Sequence, residues 1–232
     1  MPKKIDIVYI LKETMDTEEL RYSLRSLKNL PHRYVWFVGG QPKGFKPDIA
    51  LPHRQSGESK WDLIRSSMYK VLADKRLSDE FYLFNDDFFV MKKVTGKWVN
   101  FADHTLQWRV DELQKEFPWL NPYARTLYKL KEELKSLGYP QVNFEVHMPM
   151  LFRKDIADSC IKQCSSPQMR SAYGNISQCE WIQHDDVKVY DLESVPEKPD
   201  FLSTNDNTFR EGAVGEYIRN AFPEPSRFEI DE

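Results

Sequence analysis

Two adjacent carboxylates at the end of an apolar run carry the strongest chemical signal in this sequence. Residues 77–90 read L-S-D-E-F-Y-L-F-N-D-D-F-F-V. Phe81-Tyr82-Leu83-Phe84 has the length and composition of a buried strand, and it stops abruptly at Asn85-Asp86-Asp87. Open α/β sheets bind ligands at the carboxyl ends of their strands. Two like charges buried there are costly unless a cation or strong donors neutralise them. A divalent ion, Mg²⁺ or Mn²⁺, joining Asp86 and Asp87 to a phosphate meets that need, because hard cations favour carboxylate and phosphate oxygens. The other reading is a solvated turn in which Asn85 and the two acids cap the strand.

Three further groups suit the same chemistry. His147, ahead of Met148-Pro149, can take a proton from an attacking hydroxyl; otherwise it is a turn histidine. Arg170 can clamp phosphate oxygens and neutralise charge in phosphoryl transfer; otherwise it is an ordinary surface arginine. Phe201-Leu202-Ser203-Thr204 runs into Asn205-Asp206-Asn207, a second strand-then-Asn-Asp pattern. Asn205 and Asp206 either complete a metal shell and orient a donor or form an Asx-rich turn. Cys160, Cys164, Cys179 and His184 have a zinc-compatible spacing, but packing of free cysteines in helices is the favoured reading. Gly39-Gly40 lacks any phosphate-loop pattern and reads as a turn. Trp108, Trp119 and Trp181 suit either stacking on sugars or packing in a core or lid.

The elements that must position these residues alternate at first. Ile5 to Leu11 reads as a buried strand. Asp16 and Glu19 form a capping-box start, and Leu20, Leu24 and Leu27 repeat at helical spacing to about residue 30. Tyr34 to Val38 is a second strand, followed by a loop to residue 57. Trp61, Ile64, Met68, Val71 and Leu72 mark a second helix before the Phe81 strand. This alternation predicts an α/β fold with a twisted, mostly parallel sheet and right-handed crossovers. Residues 103–140 read as a helical insertion above the sheet, with Leu127, Leu130, Leu134 and Leu137 on one face and Gly138-Tyr139-Pro140 as its stop. Then follow a short strand over 142–149, a helix over 151–163, a late strand over 187–192 and a last helix over 212–221. No linker divides the chain, so residues 1–232 read as one domain.

Composition removes several classes. A length of 232 residues allows a real core. With 30% charged residues and a net charge of −3 there is no global basic field, so nucleic acid is not an expected partner. An aromatic content of 13% argues against disorder. No apolar stretch reaches the length of a membrane span. Met1-Pro2-Lys3-Lys4 leads directly into a strand, without a signal-peptide pattern. Three cysteines, an odd number, suit a reducing compartment better than a disulfide framework. The expected location is cytoplasmic.

Several segments together resemble the Stealth family, whose members transfer a hexose-1-phosphate from a nucleotide sugar. Glu19-Leu20-Arg21-Tyr22-Ser23-Leu24-Arg25-Ser26, after Ile5-Asp6-Ile7-Val8-Tyr9, is similar to its first signature block. Leu77 through Phe89 resembles the second, and His147-Met148-Pro149 with Arg170 the third. Phe201 to Asp206, with Phe222-Pro223-Glu224-Pro225-Ser226-Arg227-Phe228-Glu229, resembles the fourth. The blocks stand in family order and span nearly the whole chain. The resemblance implies a GT-A-like nucleotide-sugar transferase fold. It implies a UDP-sugar donor, a saccharide or other hydroxyl acceptor, and release of UMP. Asp86, Asp87 and Asp206 would hold the metal, and His147, Arg170 and Asp87 would form the catalytic set. Arg21, Arg25, Asn85 and Asn205 would contact the donor, with a structural ion pair an equal alternative for Arg21 and Arg25. The sequence departs from the family where Lys12-Glu13-Thr14 follows the first strand in place of an acidic turn. It also carries Glu58-Ser59-Lys60-Trp61 in place of an Asn-Ser string. The alternatives are a metal-dependent glycosyltransferase releasing UDP and a non-catalytic sugar- or nucleotide-binding protein.

Overall fold

Strand β1 (Asp6–Leu11) is apolar on both faces, which requires cover on both sides of the sheet it joins. The computed structural model describes residues 5–12, 18–53, 60–116 and 121–230. Ile7, Tyr9 and Leu11 of β1 enter one core and Val8 the opposite one, as the two-residue period of a strand dictates. β2 (Val35–Gly39) and β4 (Glu80–Phe84) repeat this alternation and flank β1, both parallel to it. β3 (Ile49–Pro52) continues the sheet in parallel beside β2. On the other edge, β7 (Met150–Arg153) runs antiparallel to β4. The order is β3-β2-β1-β4-β7. The protein is therefore a mixed α/β fold with a mostly parallel central sheet, as the alternation predicts.

Helix α1 (Glu18–Ser26) covers one face through Leu20 and Leu24. Helix α2 (Lys60–Ala73) covers the other through Met68, Val71 and Leu72. α5 (Lys154–Gln163) and α6 (Met169–Ser177) join α2 through Ala157, Ile161, Met169 and Tyr173. Cys160 packs in this core, and Cys164 packs in a separate apolar cluster. At the amino end of β1 the fully buried Asp6 carboxylate is well satisfied. It accepts from Arg33 at 2.7 and 2.8 Å, from Trp36 Nε1 and from the Ser78 amide.

Two short two-stranded ribbons flank the central sheet. β5 (Phe88–Val90) pairs antiparallel with β9 (Phe201–Ser203), and β6 (Asn100–Ala102) pairs in parallel with β8 (Trp181–Gln183). Helix α1 fixes the first ribbon by a row of polar side chains at helical spacing. Glu19 accepts a bond from Thr204 Oγ1, Ser23 Oγ donates to the Phe88 carbonyl at 2.6 Å, and Ser26 Oγ accepts from the Val90 amide.

The helical insertion is present as α3 (Leu106–Glu116) and α4 (Pro122–Ser136). Leu106 and Val110 meet Leu127, Leu130 and Leu134, and the pair packs on Ala172 of α6. Gly138, at φ +76°, ends α4. Its amide bonds to Lys135 O and the Tyr139 amide to Leu134 O, the Schellman pattern. That cap lifts Leu137 off the apolar face. Contrary to the sequence expectation it is 45% exposed.

The expected strand over 142–149 is corrected. Its alternation is real, but its pairing is limited to an isolated bridge between Val142 and Thr105, and the Val142 and Phe144 backbone groups bond to side chains of α6. Asn175 accepts from the Val142 amide and donates to the Val142 carbonyl, while Ser171 Oγ accepts from the Phe144 amide. The strand lies one step later, as β7, which shortens the helix expected over 151–163 to α5. The late strand over 187–192 reduces to a bridge between Lys188 and Ser203. The chain ends in α7 (Asp206–Arg210), α8 (Ala213–Ala221) and a tail returning to α1. Asp16, Glu58, Ser59 and Trp119 lie outside the described residues. Among the described residues no helix is long and apolar enough to cross a membrane.

Candidate active site

The carboxyl ends of β1 and β4 open into a cleft of about 750 Å³, a size that accommodates a cofactor or small substrate. Asn85, Asp86, Asp87, His147, Arg170, Asn205 and Asp206 all line it. Residues separated by more than a hundred positions meet here because β5 continues from the Asp pair and pairs with β9, whose next residues are Thr204 to Asp206.

Asp86 and Asp87 occupy the turn between β4 and β5. Burial pushes the Asp86 carboxyl up to about 6, and the Asp87 charge adds to that against Lys12 and Lys188. Asp87 Oδ2 accepts from Lys188 Nζ at 2.9 Å and from Ser203 Oγ at 3.1 Å. Asp87 Oδ1 is buried with no hydrogen-bond partner among the described residues. Burial also pushes Glu19 up to about 7. Its bond from Thr204 opposes this, and the charges of Asp87, Asp86 and Asp206 add to it. A buried oxygen without a donor, inside a cleft that penalises negative charge, fits a divalent cation. Mg²⁺ is ordinarily held by one or two carboxylates with phosphate and water oxygens, so the pair suffices as the protein's share. Among the described residues no group of three or more His, Cys, Asp or Glu side chains stands ready to hold an ion alone.

His147 follows the segment pinned by α6. Its Nδ1 lies 2.8 Å from both carboxylate oxygens of Asp186, and its backbone amide donates to the same carboxylate. Burial works to raise the Asp186 pKa, but the bond and charge of His147 hold it below the ordinary carboxylate value. Nδ1–H is thereby committed as a donor, leaving Nε2 as the basic nitrogen. Arg109 Nη2 stands 3.9 Å from Asp186 Oδ2.

Arg170 sits in the first turn of α6. Its Nη2 donates to Asn85 Oδ1 at 2.8 Å, and its guanidinium lies 5.4 Å above the Phe88 ring. Burial lowers its pKa from the ordinary value, against Glu145 and Asp87. Arg170 Nε is buried without a partner among the described residues. This arginine is thus a fixed cation with a spare donor, not a loose surface residue.

Arg21 and Arg25, for which a donor contact and a structural ion pair stood as equal expectations, are found in an ion pair. Arg25 forms a two-pronged pair with Glu229, at 2.9 and 2.7 Å, and Arg21 joins it at 2.7 Å. Neither lines the cleft. The ion-pair alternative holds, because helical spacing turns both arginines toward the returning tail while Glu19 and Ser23 turn toward β5 and β9. Asn205 lines the cleft but is the N-cap of α7. Its Oδ1 accepts from the Thr208 amide at 3.0 Å, so that oxygen is spent on the helix. Asp206 is exposed in the first turn of α7.

Sequence reasoning missed Asp186, Lys188, Glu19 and Glu145. The Asp185-Asp186 pair after Trp181-Ile182 was the available signal for the first. No family model matches this chain. No curated protein matches it at a significant level of similarity.

Proposed function

We propose that the protein transfers a sugar-1-phosphate from a UDP-sugar to an acceptor hydroxyl on a GT-A-like fold, releasing UMP. One observation carries this reading: an acid pair, a histidine held from behind by a carboxylate, and a fixed arginine line the same cleft at the carboxyl ends of β1 and β4. The sheet order, with parallel β3, β2, β1 and β4 and an antiparallel edge strand, is compatible with a GT-A-like scaffold. The signature-block resemblance adds the donor class.

Asp86 and Asp87, with Asp206 at the rim, would hold Mg²⁺ or Mn²⁺, which when bound supplies positive charge against the donor's diphosphate. His147 Nε2 takes the proton of the acceptor hydroxyl, and Asp186 holds the ring in the required tautomer and stabilises the imidazolium. The hydroxyl oxygen attacks the phosphorus bearing the sugar, and the bridging P–O bond to the uridylyl phosphate breaks. Arg170 meets the charge that gathers on the equatorial phosphate oxygens. Asn85 holds Arg170 in place.

The test is a panel of nucleotide sugars incubated with Mn²⁺ and candidate acceptors, with UMP and UDP quantified separately. UMP matched by phosphorylated acceptor is the expected result. UDP alone would mean attack at the anomeric carbon and ordinary glycosyl transfer. No turnover of any donor, and no donor binding, would remove the enzymatic reading.

A further inference from the structure

Outside the cleft, two tryptophans leave the core and face one groove. Trp108 is 38% exposed and Trp181 39% exposed, and both line a depression of about 350 Å³. Large aromatics are ordinarily buried for most of their surface, so two half-open indoles on one concavity mark a binding surface. The scaffold is well defined. Thr105 Oγ1 caps α3 by accepting from the Trp108 amide at 3.1 Å, which fixes the first turn that carries the indole. The His104 ring lies against the Trp108 ring, with centroids 3.9 Å apart. Trp181 and Gln183 alternate along β8 and so share a face, and the Trp181 ring rests edge-on against Phe144 at 5.9 Å. The floor is the buried carboxylate of Asp103, held by Asn143 Nδ2 at 2.8 Å.

This combination has a specific chemistry. A pyranose ring presents polarised C–H groups on one face and hydroxyls around its edge. The electron-rich face of an indole attracts the former. Amide, imidazole, hydroxyl and carboxylate groups bond the latter. Among the described residues no lysine or arginine lines the groove, which disfavours phosphates and nucleotides as occupants.

The groove also adjoins the cleft. Trp108 in the groove precedes Arg109, which lines the cleft. Gln183 in the groove lies three residues from Asp186, a separation of at most about 10 Å of extended chain.

We propose that this groove binds a neutral saccharide unit of the acceptor glycan, placed so that a neighbouring unit of the same glycan reaches His147. The acceptor role rests on the sugar-phosphate transfer reading; the saccharide binding rests on the groove itself. The test is direct binding of the intact protein to a printed array of neutral linear and branched oligosaccharides, with calorimetric titration of the strongest binder. Trp108→Ala and Gln183→Ala, each checked for an unchanged melting curve, serve as the variants. Binding to wild type, weakened about tenfold or more by Trp108→Ala and measurably by Gln183→Ala, is the expected result. Absence of binding to every glycan, or binding that both variants retain in full, overturns the proposal. The nucleotide-sugar assay fails or succeeds independently. Glycan binding lost in the variants without turnover of any UDP-sugar would keep the groove and discard the transfer reading. Turnover without glycan binding would do the reverse.

Discussion

The Nδ1 of His147 sits 2.8 Å from both oxygens of the Asp186 carboxylate, and the His147 amide donates to that carboxylate as well. Ring and backbone of one residue are thus tied to one acid. Rotation of the imidazole is restricted, and the tautomer is set before any substrate arrives. His147→Ala is expected to lower kcat by about 10²–10⁴-fold while donor Kd changes little, because a general base acts in the transition state. Asp186→Asn is expected to lower kcat through the same imidazole, so the double variant loses much less than the product of the two single effects. Kinetics on the three variants checks this. A stable His147→Ala protein with wild-type kcat would show that the pair only braces the loop.

Arg170 should respond differently. In the proposed transfer it would meet phosphate in ground and transition states alike, and it packs on Phe88 and bonds Asn85. Arg170→Ala is expected to weaken donor binding and turnover together and to lower the melting temperature by several degrees. Arg170→Lys keeps the charge but loses the fork, and it should restore stability more than activity. A full return of kcat in Arg170→Lys would mean that charge alone suffices.

How much of this site was legible follows from how local each signal is. Asp86 and Asp87 announce themselves because the apolar run and the acids are contiguous. The dyad does not, since His147 and Asp186 lie 39 positions apart and meet after β8 pairs with β6, which brings the following acid to His147. The nine residues of α6 contain Gly174, Asn175 and two serines and give little helical pattern. The same Asn175 and Ser171 side chains satisfy the backbone of Val142 and Phe144, so alternating apolar residues there imitate a strand whose pairing stops at one bridge, Val142 to Thr105. For Arg21 and Arg25 a donor contact and a structural ion pair stand equally open in the sequence, because only their charge type is visible there. Their partner Glu229, about two hundred residues away, is not.

That partner makes a separate expectation about stability. Arg25, Arg21 and the Ser226 amide hold the Glu229 carboxyl down to about 2 from its ordinary 4.5, against the effect of burial. A depressed carboxylate contributes stability above its unfolded pKa and loses it as pH falls toward the folded value. Glu229→Gln is expected to cost about 1–3 kcal/mol near neutral pH, the scale of a charged hydrogen bond. The difference from wild type should narrow from pH 4.5 downward as Glu229 protonates. Because Glu229 does not line the cleft, kcat should stay within about twofold. Denaturant unfolding of both proteins from pH 7 to pH 3 checks this. A difference that is constant over that range would show that packing of the tail, not the ion pair, is what the residue supplies.

The acids of the cleft shift the other way, and the sign reverses with them. Asp86 is raised from 3.8 to about 6 and Glu19 from 4.5 to about 7, in both cases mainly by burial. A folded carboxylate that binds its proton more tightly than the unfolded chain costs stability as pH rises. The metal-free protein should therefore lose melting temperature between about pH 4 and pH 8 on account of these two groups. A divalent cation needs Asp86 ionised and favours the ionised form of Glu19 nearby, so its binding competes with protons and supplies the missing positive charge. The rise in melting temperature on adding Mn²⁺ is expected to be larger at pH 8 than at pH 5, and to vanish in Asp87→Ala. Glu19→Gln, which removes one negative charge from behind the pair, should raise the stability of the metal-free protein at pH 8 and shrink its Mn²⁺ response. Thermal melts at both pH values, with EDTA and with Mn²⁺, separate the terms. A melting temperature indifferent to Mn²⁺ at pH 8, together with full turnover in EDTA, would leave Lys188 as the cation that serves Asp87.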